Sequence, residues 1–474
     1  MRREVLQWLK DGQHEILERA KARGLNTGEL MELIADRINI SNAYLRVRRN
    51  HGSHGVDGRD IDETIDDMKR RRGEILESLL QGKYKATPVR GVEIPKPNGG
   101  TRQLGIPTVQ DRIIQQAVHQ ILSILFEPLF SDSSYGFRPG RSALDAVEKA
   151  RKFYEEGYRY VVDIDMSKFF DTLNHDLLLE MLRWYIHDER VILLIKSFLK
   201  SGMMKNGVVV ETEAGSPQGG NLSPLLSNIY LTPFDRELER RGHRFVRYAD
   251  DVNIYVKSKH AAIRVMRSCT RFLEQKLKLR VNREKSQIGS PIGMKFLGYT
   301  LQENPEEFGA VHLGVHPKPV ERLKSKVREI TRRGGSIKET IRKLNQATTG
   351  WVSYYRKAHM ILLLRDLDGW IRRRIRMLQW RYWKEPKTRY QELRKLGIGS
   401  KRAYIDAYSS KGPWVLARSW SMHRGFTNAF IGSLGYKSLV SLYEHFNPPA
   451  VNLCTLNRRV PNGTHGGVGG RLAN

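Results

Sequence analysis

Apolar and polar side chains alternate along residues 244–257, RFVRYADDVNIYVK, in the pattern typical of a half-buried strand. Two adjacent acids, Asp250 and Asp251, interrupt the alternation, which predicts a turn between two strands at this point. Two like charges about 5 Å apart repel each other by about 3 kcal/mol at an effective dielectric constant near 20. We therefore expect a compensating positive charge close to this turn.

The same kind of pattern predicts a mixed region over residues 158–300. The segment YRYVVDIDM is a predicted strand in which a period of two places Asp163 and Asp165 on one face. A helix follows, and then the loop AGSPQGGNLSP leads into another helix. Upstream, residues 92–107 (VEIPKPNGGTRQLGIP) predict a β-hairpin, and residues 111–130 predict a core helix. Strands that come singly or as hairpins between helices indicate an α+β fold.

Strand patterns end after about residue 320, and the chain beyond this point reads as helical. In residues 363–378 the apolar side chains recur on one helical face, whereas Arg372, Arg373 and Arg376 fall outside it. We therefore expect a domain boundary near residues 315–320, between a mixed region and an all-helical one.

Positive charge dominates the composition. The 474 residues include 81 Lys and Arg against 51 Asp and Glu, a formal net charge of +30 with a pI near 10.1. Residues 321–420 alone contain 26 of these cations, 8 acids and six of the eight tryptophans. Cations neutralise phosphates and aromatic rings stack on bases, so this segment indicates a nucleic-acid partner. Some of the tryptophans are expected to be ordinary core residues.

Cysteine is rare in the chain, which has only Cys269 and Cys454. Two isolated cysteines provide neither a disulfide framework nor a paired-cysteine zinc site, which suits a reducing compartment. No apolar run is long enough to span a bilayer, and the N-terminus lacks the apolar block of a signal peptide. We expect a cytoplasmic protein without structural zinc and without a membrane role.

Candidate chemistry is concentrated in the acids. If the end of the YRYVVDIDM strand lies beside the turn, Asp165, Asp250 and Asp251 converge, and three carboxylates without a cation destabilise one another. Oxygen ligands favour Mg2+ or Mn2+, and two such ions can activate an attacking hydroxyl and stabilise a leaving phosphate. Taken alone, an acidic strand end is more often a solvated edge than a metal site. Spacing alone likewise favours a solvent-exposed turn for Lys96 and Arg102.

Several motifs together resemble those of the reverse transcriptases encoded by group II introns, also called intron maturases. In chain order the motifs are IPKPNGGTRQLGIPTVQDRIIQQAV, SYGFRPGRSALDAV, VDIDMSKFFDTLNHD, GSPQGGNLSPLLSNIYL, FVRYADD, VNREKS and KFLGY. The resemblance extends over about residues 35–440. A single tetrapeptide such as YADD is weak evidence, whereas seven blocks in the family's order and spacing are specific.

The resemblance implies a right-hand polymerase, an α+β fold in which fingers and a palm with an antiparallel sheet are followed by an all-α thumb. It divides the chain into the N-terminal extension and fingers (1–105), the palm with the remaining fingers (106–318), the thumb or maturase domain (319–446) and a Gly/Pro-rich tail (447–474). The implied reaction is RNA-templated DNA synthesis. In it a primer 3′-hydroxyl attacks the α-phosphate of a deoxynucleotide, with two Mg2+ ions as cofactors and Mn2+ as a possible substitute.

The resemblance also implies roles for individual residues. Asp165, Asp250 and Asp251 match the metal-binding catalytic aspartates. Residues that match deoxynucleotide-binding positions are Lys96, Arg102, Phe170, Gln218 and Lys285, and among them the ring at 170 matches the group that excludes a 2′-hydroxyl. Residues expected to bind nucleic acid in the helical domain are Arg372, Arg373, Arg376, Trp380, Arg381 and Lys384. Asp163 matches no metal ligand of the family, and its role stays open.

Expected partners are the parent intron RNA, an RNA template with a DNA primer, deoxynucleotides and target DNA. The sequence lacks the paired cysteines and histidines of a zinc-dependent endonuclease, so it resembles the shorter group IIC members and we do not expect DNA cleavage. Three alternatives stay open, namely a maturase that has lost polymerisation, a polymerase that makes RNA, and a reverse transcriptase used outside an intron. The intact aspartates weigh against a loss of polymerisation, and Phe170 weighs against an RNA product. The basic helical domain weighs against a use outside an intron.

Overall fold

The computed structural model describes most of the chain, in two compact units. The described ranges are residues 27–95, 101–205, 208–210, 214–215, 219–303, 310–332 and 335–448. The first 26 residues of the predicted N-terminal extension, Lys96, Gln218, Cys454 and nearly all of the predicted tail lie outside these ranges. One unit runs to Leu297 and includes Leu301–His312, and the other comprises Gly298–Thr300 and the chain from Leu313 onward.

Among its described residues the first unit contains two four-stranded sheets, with the strand orders β2–β1–β4–β5 and β6–β7–β3–β8. The strands are β1 (Val89–Pro95), β2 (Thr101–Ile106), β3 (Tyr160–Ile164), β4 (Met203–Lys205), β5 (Val208–Val210), β6 (Arg244–Tyr248), β7 (Asp251–Val256), β8 (Gln287–Gly289), β9 (Tyr299–Glu303) and β10 (Val311–Val315). β9 and β10 pair with each other where the chain passes between the units. The predicted hairpins are therefore confirmed as β1–β2 and β6–β7.

Several helices of the first unit begin at polar side chains that cap them. Thr108, Ser142 and Ser258 each accept a hydrogen bond from a backbone N–H of the following turn, as good N-cap residues do. The helices are Leu30–Ala35, Arg37–Arg49, Ile61–Arg70, Arg72–Leu80, Val109–Phe126, Ala143–Glu155, Phe169–Thr172, His175–Arg183, Glu189–Leu199, Ser223–Arg240 and Lys259–Gln275, with a 3-10 turn at Glu127–Leu129. The first unit is thus α+β, as the sequence predicts.

Both faces of the β6–β7–β3–β8 sheet pack against apolar side chains, and this decides where the acids of β3 lie. Val162 and Ile164 belong to the main core, which the helices share. Val161 belongs to a separate, smaller core cluster. The face of Val161 therefore carries Asp163 and, one step beyond the end of the strand, Asp165, which confirms the predicted period of two.

The described part of the second unit is helical apart from its share of β9 and β10. Its helices are Pro317–Ile330, Ile337–Tyr354, Ile361–Tyr382, Pro386–Lys395, Ser400–Ala407, Pro413–Leu416, Trp420–Gly425, Asn428–Ser433 and Leu439–Phe446. The apolar residues predicted to share one face are all buried along the longest helix, namely Leu364, Leu367, Ile371, Ile375 and Leu378. No helix among the described residues is long and apolar enough to cross a membrane.

Asp368 ties the longest helix of the second unit to its last one. The carboxyl is buried and accepts hydrogen bonds from the hydroxyls of Tyr436 (2.8 Å) and Ser438 (2.5 Å) and from the backbone N–H of Leu439 (2.9 Å). Arg372, one turn further along the helix, lies 3.6 Å from the same carboxyl. With the backbone N–H of Val440 (3.3 Å), the buried charge is therefore satisfied by five groups, and it caps the last helix from another element.

We predict that Asp368→Ala destabilises the second unit by about 3 kcal/mol, because it removes the cap and leaves Arg372 without this carboxylate. The matched control is Asp366→Ala, on the same helix at an exposed position, and it should change the stability by less than about 0.5 kcal/mol. Urea unfolding followed by tryptophan fluorescence measures both variants. Equal midpoints for the two would contradict this role of Asp368.

Candidate active site

The two adjacent acids lie at the tip of the β6–β7 hairpin. Tyr248 pairs with Asp251, so the turn consists of Ala249 and Asp250, and Asp251 is the first residue of β7. Ala249 has a φ of 58°, in the left-handed region that alanine seldom adopts. Two-residue hairpin turns need such positive φ values. The tight turn thus holds both acids at one end of the sheet, at the cost of a strained residue before them.

The third acid reaches the same end of the sheet from β3. β3 pairs antiparallel with β7, with Ile164 opposite Val252, so one further step in this register brings Asp165 opposite Asp251. The backbone N–H of Asp165 donates to the Ser286 hydroxyl (3.0 Å), which fixes the end of the strand. The structure therefore brings together the acids that the sequence could only assume to be neighbours.

The electrostatics of the acids reflect this convergence. The surrounding protein, and then the negative charges of Asp250, Asp163 and Asp165, raise the pKa of Asp251 to about 6. Burial is also the main cause that raises the pKa of Asp163, and Asp165 adds to it. Lys285 partly offsets the negative charge, because its ammonium lies 3.5 Å from the Asp165 carboxylate. The predicted nucleotide-binding lysine is thus part of the acidic cluster.

Asp163 is held by amide donors of the neighbouring strands. Gln287 of β8 donates to its carboxylate over 3.3 Å, and Asn253, its partner on β7, donates over 2.9 Å when its amide NH2 faces this acceptor. Amides that hold both sides of a carboxylate leave less of it for a metal ion. The structure thus gives Asp163 a supporting place beside the three acids, which fits its lack of a counterpart among the family's metal ligands.

The donor set fits a divalent cation, since it offers only carboxylate oxygens, the ligands that Mg2+ and Mn2+ prefer. Within the described ranges, no three acidic, histidine or cysteine side chains lie close enough together to enclose a metal ion. In the described structure Asp165, Asp250 and Asp251 therefore do not by themselves form such a group.

A buried ion pair lies directly beneath the turn, and sequence reasoning missed it. Arg247 and Asp235 are both fully buried, and the guanidinium donates two hydrogen bonds to the carboxylate, of 2.8 and 2.5 Å. A third nitrogen of the same guanidinium donates to the Asn228 side chain (2.8 Å) and to the carbonyl of Ala249 (3.0 Å). Arg247 therefore holds the strained residue of the turn. The available signal in the sequence was an acid, Asp235, directly after the mostly apolar helical stretch LLSNIYLTPF.

The SYGFRPG motif packs against the other side of the same turn. A Cβ atom added to Gly136 would lie 2.3 Å from the backbone nitrogen of Ala249, so only glycine allows this approach. The carbonyl of Gly136 accepts a hydrogen bond from Asn228 (2.9 Å), and the N–H of Tyr135 donates to the carbonyl of Arg247 (2.8 Å). The turn is thereby fixed from both sides.

Parts of the predicted nucleotide site also come together. Phe170 is half-buried on the short Phe169–Thr172 helix, and its carbonyl would lie 2.7 Å from a Cβ added to Gly215. In the same way a Cβ on Gly219 would lie 2.8 Å from the carbonyl of Gly105 in β2. β2 also contains Arg102, whose side chain lies outside the described part of the structure, as do Lys96 and Gln218. Gly215 is therefore adjacent to the short helix of Phe170, and Gly219 to β2.

The second unit corrects part of the predicted nucleic-acid surface. Arg376 is 4% exposed and donates to the carbonyl of Phe426 (2.9 Å), and Trp380 is 1% exposed. Neither side chain can reach a phosphate or a base, so the prediction is wrong for these two residues. Arg373 lies 3.7 Å from the centre of the Trp414 ring and donates to its carbonyl. Like Arg372, it therefore has partners inside the unit, whereas the side chains of Arg381 and Lys384 are exposed.

We predict that Arg247→Met destabilises the first unit by about 3–5 kcal/mol, because it leaves Asp235 charged and buried without its partner. Adding Asp235→Leu should recover most of this stability, since an apolar pair of similar volume can replace a buried ion pair. The double variant still lacks the donor to the Ala249 carbonyl. Its rate of single-nucleotide addition should therefore stay about 10- to 100-fold low.

The matched control is Arg190→Met, which breaks the contacts of Arg190 with Asp188 and Glu32, away from the turn. It should lower stability without lowering the addition rate per folded molecule. Urea midpoints and single-turnover rates separate the two effects. Full recovery of the rate in the double variant would show that Arg247 serves stability alone.

Comparison with known proteins assigns both units. Residues 94–301 match the family described as reverse transcriptase (RNA-dependent DNA polymerase), and residues 320–397 match the group II intron, maturase-specific domain. The first match contains Asp165, Asp250 and Asp251. The second contains the longest helix of the second unit.

Three curated relatives show the range of the similarity. Protein YkfC of Escherichia coli is 32% identical over 61% of this chain and 87% of its own length. The group II intron-encoded protein LtrA of Lactococcus lactis is 31% identical over 55% of this chain, and the putative COX1/OXI3 intron 2 protein of Saccharomyces cerevisiae is 27% identical over 60%. The match spans about half of LtrA (54%) and 40% of the yeast protein.

Proposed function

The chain belongs to the reverse transcriptases encoded by group II introns, and on this premise we propose that it copies RNA into DNA as an RNA-directed DNA polymerase. The observation that carries the proposal is the register of β3 with β7, which brings Asp165 opposite Asp251 at the end of the sheet. We assign the β6–β7–β3–β8 sheet to a palm, the β1–β2 hairpin to fingers and the second unit to a thumb.

In the proposed reaction Asp165, Asp250 and Asp251 would hold two Mg2+ ions, and the chemistry that such ions would supply is activation of a primer 3′-hydroxyl and neutralisation of charge on the transferred phosphate. The protein's own part is to orient these carboxylates. The hairpin turn and Arg247 hold Asp250 and Asp251, and the Ser286 hydroxyl holds the strand end at Asp165. Lys285, now at the Asp165 carboxylate, can turn to a triphosphate once cations occupy the site.

We propose that the nucleotide lies between the short helix of Phe170 and the fingers hairpin. Lys96, Arg102 and Gln218 would contact its triphosphate and base, which follows from their match to the family's motifs. The ring of Phe170 would lie beneath the sugar and exclude a 2′-hydroxyl. Support comes from the adjacent backbones, since Gly215 approaches the Phe170 carbonyl and Gly219 approaches β2.

We propose that the second unit binds the parent intron RNA and assists its splicing, as a maturase, and that the DNA copy serves retrohoming into target DNA. Support comes from the maturase-specific match and from the 26 cations of residues 321–420. The exposed Arg381 and Lys384 are the remaining candidates among the residues predicted to bind nucleic acid. The proposed location is the bacterial cytoplasm, in a ribonucleoprotein.

We predict that the protein extends a DNA primer on an RNA template with Mg2+, and that Asp250→Asn lowers the extension rate by at least about 10³-fold, because it removes a charged ligand of the cations. Asp176→Asn, which changes an exposed acid outside the cluster, is the matched control and should keep the wild-type rate.

The outcomes of this experiment also distinguish the alternatives. A wild-type protein that binds the intron RNA but does not extend the primer would be a maturase without polymerase activity. Extension without any preference for the intron RNA would favour a reverse transcriptase used outside an intron. Equal rates for the wild type and Asp250→Asn would contradict the proposed catalytic site.

We predict that Phe170→Val lowers the discrimination between deoxynucleotides and ribonucleotides by about 10- to 100-fold, because a smaller side chain leaves room for a 2′-hydroxyl. Single-nucleotide addition with each triphosphate measures the ratio of kcat/KM values. The rate with the deoxynucleotide should change far less than the rate with the ribonucleotide. An unchanged ratio would show that another group excludes the hydroxyl.

A further inference from the structure

A basic pocket lies at the end of the β6–β7 hairpin that is opposite to the acidic turn. Its volume is about 480 Å³, and it lies between the start of β6, the end of β7 and the Lys259–Gln275 helix. Its cationic and histidine lining residues are Arg241, His243, Arg244, Lys257 and Arg264, and its lining includes no acid. The floor is apolar, since Val256 and Val265 are buried.

Most of this positive charge is not neutralised within the protein. Arg241 pairs with Glu237 (2.5 Å). In the ranges that the structure describes, no carboxylate lies within 4.0 Å of the side-chain nitrogens of Arg244, Lys257 or Arg264. Cations gathered around one concave surface repel each other, and a bound anion relieves that repulsion. A face that only served solubility would mix charges of both signs.

The positive charge continues from the pocket along the same helix. Arg264, Arg267 and Arg271 recur three and four residues apart, so they lie on one helical face, and all three are exposed. A second pocket, of about 450 Å³, is lined by Arg267, Arg271 and Arg283 and by one acid, Glu274, which lies 3.7 Å from Arg283, so two of its three arginines have no acid partner in the lining. From Arg264 to Arg271 the helix rises by about 10 Å, which equals about three base-pair steps of rise along the axis of a duplex. The spacing suits a run of phosphates better than one isolated anion.

An aromatic ring adds a second feature typical of nucleic-acid sites. Tyr158 lines the first pocket, and the ammonium of Lys257 lies 5.5 Å from the centre of its ring. An arrangement of cations beside an accessible ring can hold a phosphate and the sugar or base attached to it. Small acidic metabolites would not need the extension of the charge over a second pocket.

We propose that the basic surface formed by the first pocket and the arginine face of the Lys259–Gln275 helix binds the phosphate backbone of RNA outside the catalytic cleft. The choice of RNA rests on the proposed function, in which RNA is both template and intron partner. Along β7 the pocket lies about 15 Å from Asp251, so the RNA held there is not at the reacting primer end. The surface would therefore hold a part of the RNA that is not being copied.

The test compares two double variants of the full chain. Arg244→Gln with Arg264→Gln removes two cations of the first pocket. Lys259→Gln with Lys276→Gln is the matched control, because it removes two exposed cations of the same helix region that line neither pocket. The probe is a fluorescent RNA hairpin, with a DNA hairpin of the same sequence as a second arm, and affinity is measured by anisotropy at several salt concentrations.

For the pocket variant we expect about 3- to 10-fold weaker RNA binding and a salt slope smaller by about 1–2, since each lost phosphate contact releases fewer counterions. The control should change the slope by less than half as much, and primer extension on a short template should keep its rate in both. Equal slopes for the two variants would overturn the proposal, and an equal loss for DNA would overturn the choice of RNA. If the wild type fails to extend primers while the slope still falls, the polymerase proposal fails and the basic surface stands.

Discussion

The buried ion pair between Arg247 and Asp235 is the interaction on which the candidate site depends. Taking two charges out of water costs several kcal/mol per ion, and only good geometry offsets that cost. Here two hydrogen bonds join the pair, and the guanidinium also bonds Asn228. The same guanidinium also donates to the carbonyl of Ala249 in the strained turn. Because Asp235 and Asn228 belong to the Ser223–Arg240 helix, Arg247 connects the turn to that helix. An ion pair in this position contributes more to the orientation of the acidic turn than to the stability of the fold.

The acidic cluster needs such support because its members repel one another. The pKa of Asp251 is raised to about 6 by the surrounding protein and by its acidic neighbours. A turn without contacts could relieve the repulsion by letting its acids move apart, whereas this turn is restrained, since Gly136 lies against its backbone and Arg247 donates to its Ala249 carbonyl. The repulsion among the acids can then be relieved by a bound cation, and a phosphoryl-transfer site requires such a cation. The fold therefore keeps these carboxylates close together despite their mutual repulsion, and bound cations would relieve that repulsion.

Local patterns predicted much of this arrangement. The alternation around Asp250 correctly predicted a hairpin, and the period of two correctly placed Asp163 and Asp165 on one face, because both depend only on neighbouring residues. The pairing of β3 with β7 was an assumption, since register between distant strands is set by packing and not by either segment alone.

Contacts between distant residues were beyond the sequence. An arginine between apolar neighbours in a strand reads as a solvent-facing residue, and nothing local shows that Arg247 meets Asp235 across twelve positions. Arg376 was misjudged for the same reason, because its partners, Phe426 and Asn428, come about fifty residues later. Charge counting identified a basic segment correctly but could not tell which cations bond within the protein and which face solvent.

The most direct test of the central claim asks whether the acids of two distant segments bind cations together. Fe2+ in place of Mg2+, with ascorbate and peroxide, cleaves the backbone next to a bound ion, and the fragments map its neighbours. The account predicts cleavage both near Asp165 and near Asp250–Asp251 in the same protein, with excess Mg2+ suppressing both sets of cuts and Asp250→Asn weakening them in parallel. Cleavage at one segment only, or cuts at the two segments that respond independently to Mg2+, would contradict a shared metal site.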